Sequence, residues 1–206
     1  TKYPQGAERA LIYACTGRSI NSTMLPADAG CVVDNVYTVI SIYNAVALTT
    51  PVIGRVVTVT GDCITKPQNF WVKLGTNFNE LVEAAGGYKT QPEKIISGGP
   101  MMGMAMFSTD VPVTKTSGSI LTMSHDEVAA QEPSACIRCG RCVEACPSHL
   151  VPQIMIQYAE RNDIEGFKRV GGMECYECGS CTFVCPAKRR LTQSFKQARA
   201  EGRKRK

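Results

Sequence analysis

Two copies of one cysteine pattern constrain this chain more than anything else in it: Cys136, Cys139, Cys142 and Cys146, then Cys175, Cys178, Cys181 and Cys185. Both read C-x-x-C-x-x-C-x-x-x-C-P, closed by Pro147 and Pro186, whose rings fix the backbone after the last thiol. That spacing lets three thiolates of one tight turn cap three corners of a four-iron cube, while the fourth cysteine ligates the cube of the other run. Eight of the eleven cysteines are then accounted for. Cys136, Cys139, Cys142 and Cys185 form a first [4Fe–4S] set, and Cys175, Cys178, Cys181 and Cys146 a second. Zinc also uses C-x-x-C pairs, but a third cysteine two residues on and a fourth before proline, repeated, is not zinc-ribbon spacing. A zinc-stabilised interaction module is the non-redox alternative. Disulfides belong to small secreted chains, and the sequence shows no signal-peptide pattern. Cys15, Cys31 and Cys63 lack partners at ligand spacing and read as buried small hydrophobes in a reducing compartment.

The chain has 206 residues, room for one or two compact units, and its 44% hydrophobic content is that of a globular protein. No stretch approaches the roughly eighteen apolar residues of a membrane span, so any membrane association is expected to be peripheral or through partners. Beginning at Thr1 without Met, the sequence reads as the C-terminal portion of a longer protein. The net charge of +5 is unevenly spread: residues 186–206 carry +8, leaving −3 for the preceding 185. A basic tail over 196–206 can meet nucleic acid, anionic lipid or an acidic protein. A solvated, partly disordered terminus is at least as good a reading. With no aromatic residue in those last eleven positions, nucleic acid is the weakest partner and none is expected.

Three segments follow along the chain. Residues 1–50 carry helical apolar spacing at Ala10, Leu11 and Ala14 and again at Val36, Val39, Ile40, Tyr43 and Val46, with Asn35 as a helix start. Residues 51–115 change period. β-branched residues dominate 52–60 and end at Gly61-Asp62, Phe70–Leu74 is a second strand, Asn77 caps a helix stopped by Gly86-Gly87, and Lys94–Ser97 is a third strand. Gly98-Gly99-Pro100 lacks the lysine and hydroxyl of a P-loop and reads as a turn; Met101, Met102, Met104 and Met106 read as an apolar cluster packing a domain interface. Residues 130–195 hold the cysteine runs, joined by a helix from Pro152 and a shorter one capped by Asp163, an all-helical two-cluster module. The class is α+β.

The chain resembles the C-terminal half of the RnfC family, the soluble subunit of Rnf ion-translocating ferredoxin:NAD oxidoreductases. The match is carried by residues 2–8, Thr16-Gly17-Arg18, Leu25-Pro26, Asn35-Val36, residues 55–61, residues 98–103 and both cysteine runs. The first segment is also similar to the flavoprotein subunit of respiratory complex I. The resemblance implies the end of a Rossmann-like flavin domain, an SLBB-type β-grasp domain and an α-helical dicluster ferredoxin domain. It makes Glu8 and Asn35 candidate FMN-site residues, with no catalytic residue assigned. It implies an electron relay through two [4Fe–4S] clusters between a flavin/NADH site and the other subunits of a membrane-bound Rnf complex, at the cytoplasmic side of the membrane. The family's glycine-rich FMN-phosphate segment lies N-terminal and is absent here, so FMN and NADH are expected of the full-length protein and not of this chain alone. A soluble flavin/iron–sulfur reductase, such as a corrinoid reductase, is the alternative.

Charge around the runs suggests unequal potentials. Arg138 and Arg141 add positive charge near the first set, and Glu174 and Glu177 negative charge near the second. At equal exposure the first cluster is expected to have the higher potential. Gly140 and Gly179, each after the second thiol of its run, either admit backbone amides toward sulfur or make room for the turn.

Overall fold

The structure is a computed structural model and describes residues 2–204; Thr1, and Arg205 and Lys206 of the expected basic tail, lie outside the described residues. Contacts divide the chain into two units, one of residues 34–130 and one combining the segment up to Val33 with the segment from Gln131 onward. The first helix, α1, Glu8–Thr16, belongs to the composite unit and buries Ile12 there.

The 34–130 unit begins with helix α2, Val36–Ala47, capped by the Asn35 side chain, which accepts from the Tyr37 N–H at 2.9 Å. Val36, Val39, Ile40, Ile42, Tyr43 and Val46 all remain at least half exposed, so this helix is apolar on a surface that nothing in its own unit covers. Tyr37 ties it to the sheet by donating to the Gly54 carbonyl at 3.0 Å. The sheet has five strands: β1 (Gly54–Gly61), β2 (Gln68–Lys73), β3 (Lys94–Ser97), β4 (Met104–Met106) and β5 (Ser119–Met123), in the order β2-β1-β5-β3-β4. β1 pairs antiparallel with β2, Val57 opposite Phe70, and parallel with β5, Val59 opposite Ile120. Alternation along β1 sends Val57 and Val59 into the core and leaves Val56 half exposed. Helix α3, Phe78–Ala84, covers that core with Phe78, Leu81 and Val82. Its N-terminus is a capping box: the Asn77 side chain accepts from the Asn79 N–H, and Glu80 returns the bond to the Asn77 N–H at 3.1 Å.

Sequence periodicity anticipates β1, β2, β3 and α3 but neither β4 nor β5. β5, the middle strand, is five residues long and lies beyond position 115, where the segment was expected to end. Within the methionine cluster, Met106 packs partly on the sheet core, while Met102 and Met104 are exposed. The contacts join residues 34–50 to the sheet unit.

In the composite unit, helices α4 (Arg141–Glu144), α5 (Pro152–Glu160), α6 (Ile164–Arg169), α7 (Ser180–Phe183) and α8 (Leu191–Lys204) complete the chain. The core is Met155, Ile156, Ala159, Ile164, Phe167, Leu191, Phe195 and Ala198, with the Phe167 and Phe195 rings 5.9 Å apart and tilted by 39°. A disordered basic terminus is corrected here. Through Lys204 it is a helix whose face of Leu191, Thr192, Phe195, Ala198, Arg199 and Gly202 is buried, because apolar residues recur at helical spacing among the cations. Cys15 is corrected as well: it is exposed and Cys31 is half-buried, so only Cys63 is the buried hydrophobe expected.

Candidate metal centres

Each cysteine run folds the same way because it is the same local sequence. Two thiols lie on a coil and the third on the one-turn helix that follows, α4 or α7; the fourth comes after that helix, and a longer helix, α5 or α8, begins after the proline. The two halves are related by a shift of 39 positions, which carries Cys136 to Cys175, Cys139 to Cys178, Cys142 to Cys181 and Cys146 to Cys185. The backbone repeats with it. Arg138 (φ 57°) matches Glu177 (φ 56°), Gly140 (77°) matches Gly179 (87°), and His149 (52°) matches Lys188 (52°). A Cβ at Gly140 would meet nothing within 4 Å, so this glycine serves a left-handed turn, not a tight space; Gly179, at φ 87°, holds the same left-handed backbone.

Two cavities result. Cys136, Cys139, Cys142 and Cys185 line the first, with Ile137, Ile156 and Leu191 among its walls. Cys146, Cys175, Cys178 and Cys181 line the second, with Leu150, Met155 and Phe195. These are the two sets expected from spacing, each with its fourth thiol from the other run. Backbone N–H groups point at the sulfurs: Arg138 to Cys136 at 3.4 Å, Glu177 to Cys175 at 3.3 Å and Leu150 to Cys146 at 3.3 Å. The Thr192 hydroxyl lies 3.6 Å from the Cys181 sulfur. Four thiols, an apolar wall and inward N–H donors suit an anionic iron–sulfur group, whose ligand charge such donors stabilise. Among the described residues no three His, Cys, Asp or Glu side chains converge as a single metal ion needs.

The two sites differ in exposure and charge. Cys136 and Cys139 are exposed, whereas Cys146, Cys178 and Cys181 are buried. Burial pushes the Cys142 and Cys181 thiols up, and the Cys175 thiol up to about 11. These three are protonated at neutral pH, so a metal must displace their protons to bind. The negative charge expected near the second set is offset by cations beside it. The Glu174 carboxylate is held by Arg9 and accepts from the Ser22 N–H at 2.9 Å and hydroxyl at 2.6 Å. Against burial, those bonds and Arg9 hold its pKa below the usual carboxylate range. Glu177 is paired with Arg199, and Arg9 also sits 4.7 Å over the Tyr176 ring. Sequence reasoning missed Arg9, Ser22 and Arg199, which lie outside both cysteine runs; the 39-residue repeat, by contrast, was open to a search for self-similarity.

Glu8 lines neither cavity. Glu8 is the exposed first residue of α1, and the exposed Asn35 spends its side chain on the cap of α2. Among the described residues no helix is long and apolar enough to cross a membrane.

Three family models match: a Nuo51 FMN-binding domain over residues 1–44, an SLBB domain over 56–105 and a 4Fe-4S dicluster domain over 129–186. The chain is 46% identical over 205 residues to the C subunit of the proton-translocating ferredoxin:NAD(+) oxidoreductase complex of Clostridium ljungdahlii, covering 98% of this chain and 45% of that protein. It is 45% identical over 201 residues to the Na(+)-translocating counterpart of Acetobacterium woodii, with the same shares. Against the C subunit of the ion-translocating oxidoreductase complex of Rhodobacter capsulatus the identity is 39%, over 98% of this chain and 39% of that protein. The chain therefore spans less than half the length of these relatives.

Proposed function

Because the chain belongs to the RnfC family, the C subunits of ion-translocating ferredoxin:NAD(+) oxidoreductase complexes, we propose that it is the part of such a subunit that relays electrons. The observation that carries this is the sorting of eight cysteines into two four-thiol cavities, each completed by the other run. Cys136, Cys139, Cys142 and Cys185 hold one [4Fe–4S] cluster, and Cys175, Cys178, Cys181 and Cys146 the other. Such a cluster accepts and releases one electron at a time, which links a two-electron donor to one-electron acceptors.

The chain's own residues do the rest. Arg138, Glu177 and Leu150 stabilise ligand charge through backbone N–H groups, while Leu150, Met155 and Phe195 keep water from the second site. The exchange of the fourth thiol brings the two sites under one core, so an electron passes between them without chain movement. FMN and NADH belong to the whole subunit, with Glu8 and Asn35 on the flavin side. The uncovered apolar surface of α2 supports further chain lying there in the longer protein. The whole subunit docks peripherally on the membrane partners of the complex, on the cytoplasmic side.

Anaerobic purification with iron and sulfide analysis tests the reading. We expect about eight irons per chain and about half of that in Cys139→Ser or Cys178→Ser. A preparation holding fewer than about four irons, or one whose reducible signal survives both substitutions together, rejects it.

A further inference from the structure

The two ligand loops carry opposite charges at one position. Arg138 and Glu177 both precede the second thiol of their run, and the helices behind them are inverted in the same sense: Glu160 ends α5, and Arg199 stands 39 positions later in α8. The halves then part in environment. In the first, Arg138 is exposed and Glu160, half exposed, pairs with Arg189. Water screens these charges. In the second, Arg199 is 8% exposed, donates from Nη1 to the Glu177 carboxylate, and keeps a buried Nε with no hydrogen-bond partner. The Glu177 N–H in turn reaches the Cys175 sulfur at 3.3 Å.

Burying a guanidinium with one donor unsatisfied costs stability that a single ion pair does not return. The terminal helix would dock as well with an apolar residue there, so the cation calls for another role. A four-thiolate iron–sulfur group is anionic in both redox states and more so when reduced, and a buried cation beside it favours the reduced form. We propose that Arg199 is a positioning residue for the second site: it fixes the Glu177 loop that presents Cys175 and, by offsetting the Glu177 carboxylate, keeps the reduction potential of the cluster held there above the value that carboxylate alone would set. The inference rests on the two-cluster reading given under Proposed function.

EPR-monitored redox titration of the anaerobically loaded chain tests it, with signals assigned to sites through Cys139→Ser and Cys178→Ser. Arg199→Gln is expected to lower the second potential and leave the first unchanged. Arg199→Lys, which keeps the charge, is expected to stay nearer the unmodified value, and Glu177→Gln to raise the second potential. If Arg199→Gln loses the second cluster while Arg199→Lys keeps it, the charge is needed at that site and the proposal holds. The proposal is overturned if Arg199→Gln leaves the second potential where it was, if both potentials move together, if Lys and Gln lower it equally, or if neither variant holds the second cluster. Iron content of the unmodified chain decides the underlying reading separately.

Discussion

Lys94 and Asp126 show how a single pair is read in this molecule. Burial alone would raise the Asp126 carboxyl, but the Lys94 ammonium and backbone N–H groups hold it below its ordinary value of 3.8. A carboxyl depressed in the folded state contributes stability in full above its unfolded value, and loses it as pH falls through the lower folded one. Asp126→Asn is therefore expected to lower the melting temperature at pH 7, with the gap from the unmodified protein closing as pH falls below about 4. A gap of constant size over that range counts against the pairing. At this scale the sequence was uneven as a guide. Asn77 and Asp163 announced their caps, because a cap bonds to a backbone group two or three residues on. Nothing local announced that Glu174 meets Arg9 and Ser22, which lie 165 and 152 positions away.

Among the elements, the terminal helix departs furthest from its sequence reading. α8 reads as a basic tail when its charges are counted, and as an amphipathic helix when Leu191, Phe195, Ala198 and Gly202 are placed on one face. Phe195 is 1% exposed, packs on Phe167 and lines the second thiol cavity. Phe195→Ala is expected to cost about 3–5 kcal/mol in urea denaturation, whereas Lys204→Ala, on the exposed side, should stay within about 0.5 kcal/mol. Equal effects would mean the helix is not docked. Strands fared differently. β1 was legible because eight residues of mostly β-branched chain end at a turn signal, while β5 owes its existence to a parallel pairing with β1 some sixty residues earlier. Pairings between distant segments leave no periodic trace.

For the molecule as a redox device, exposure replaces loop charge as the ground for ordering the two sites. Glu174 and Glu177 are neutralised by Arg9 and Arg199, so they cannot depress the second potential as bare charges would. The thiols of the first site are the more exposed, and water stabilises the charge of an added electron better than the buried surroundings of Cys146, Cys178 and Cys181. The first cluster is expected at the higher potential in an EPR titration of single-set variants, with Arg199 narrowing the gap; the reverse order rejects the exposure argument. What the sequence determined by itself was the chemistry of the two runs and the grouping of their eight thiols, because ligand spacing is a property of a dozen consecutive residues. Only the tertiary structure decided which charges accompany those thiols and how much water reaches them. Ion pairs and burial are made by segments that meet in space, and the partner of Glu177 comes from a helix that charge counting alone assigns to solvent.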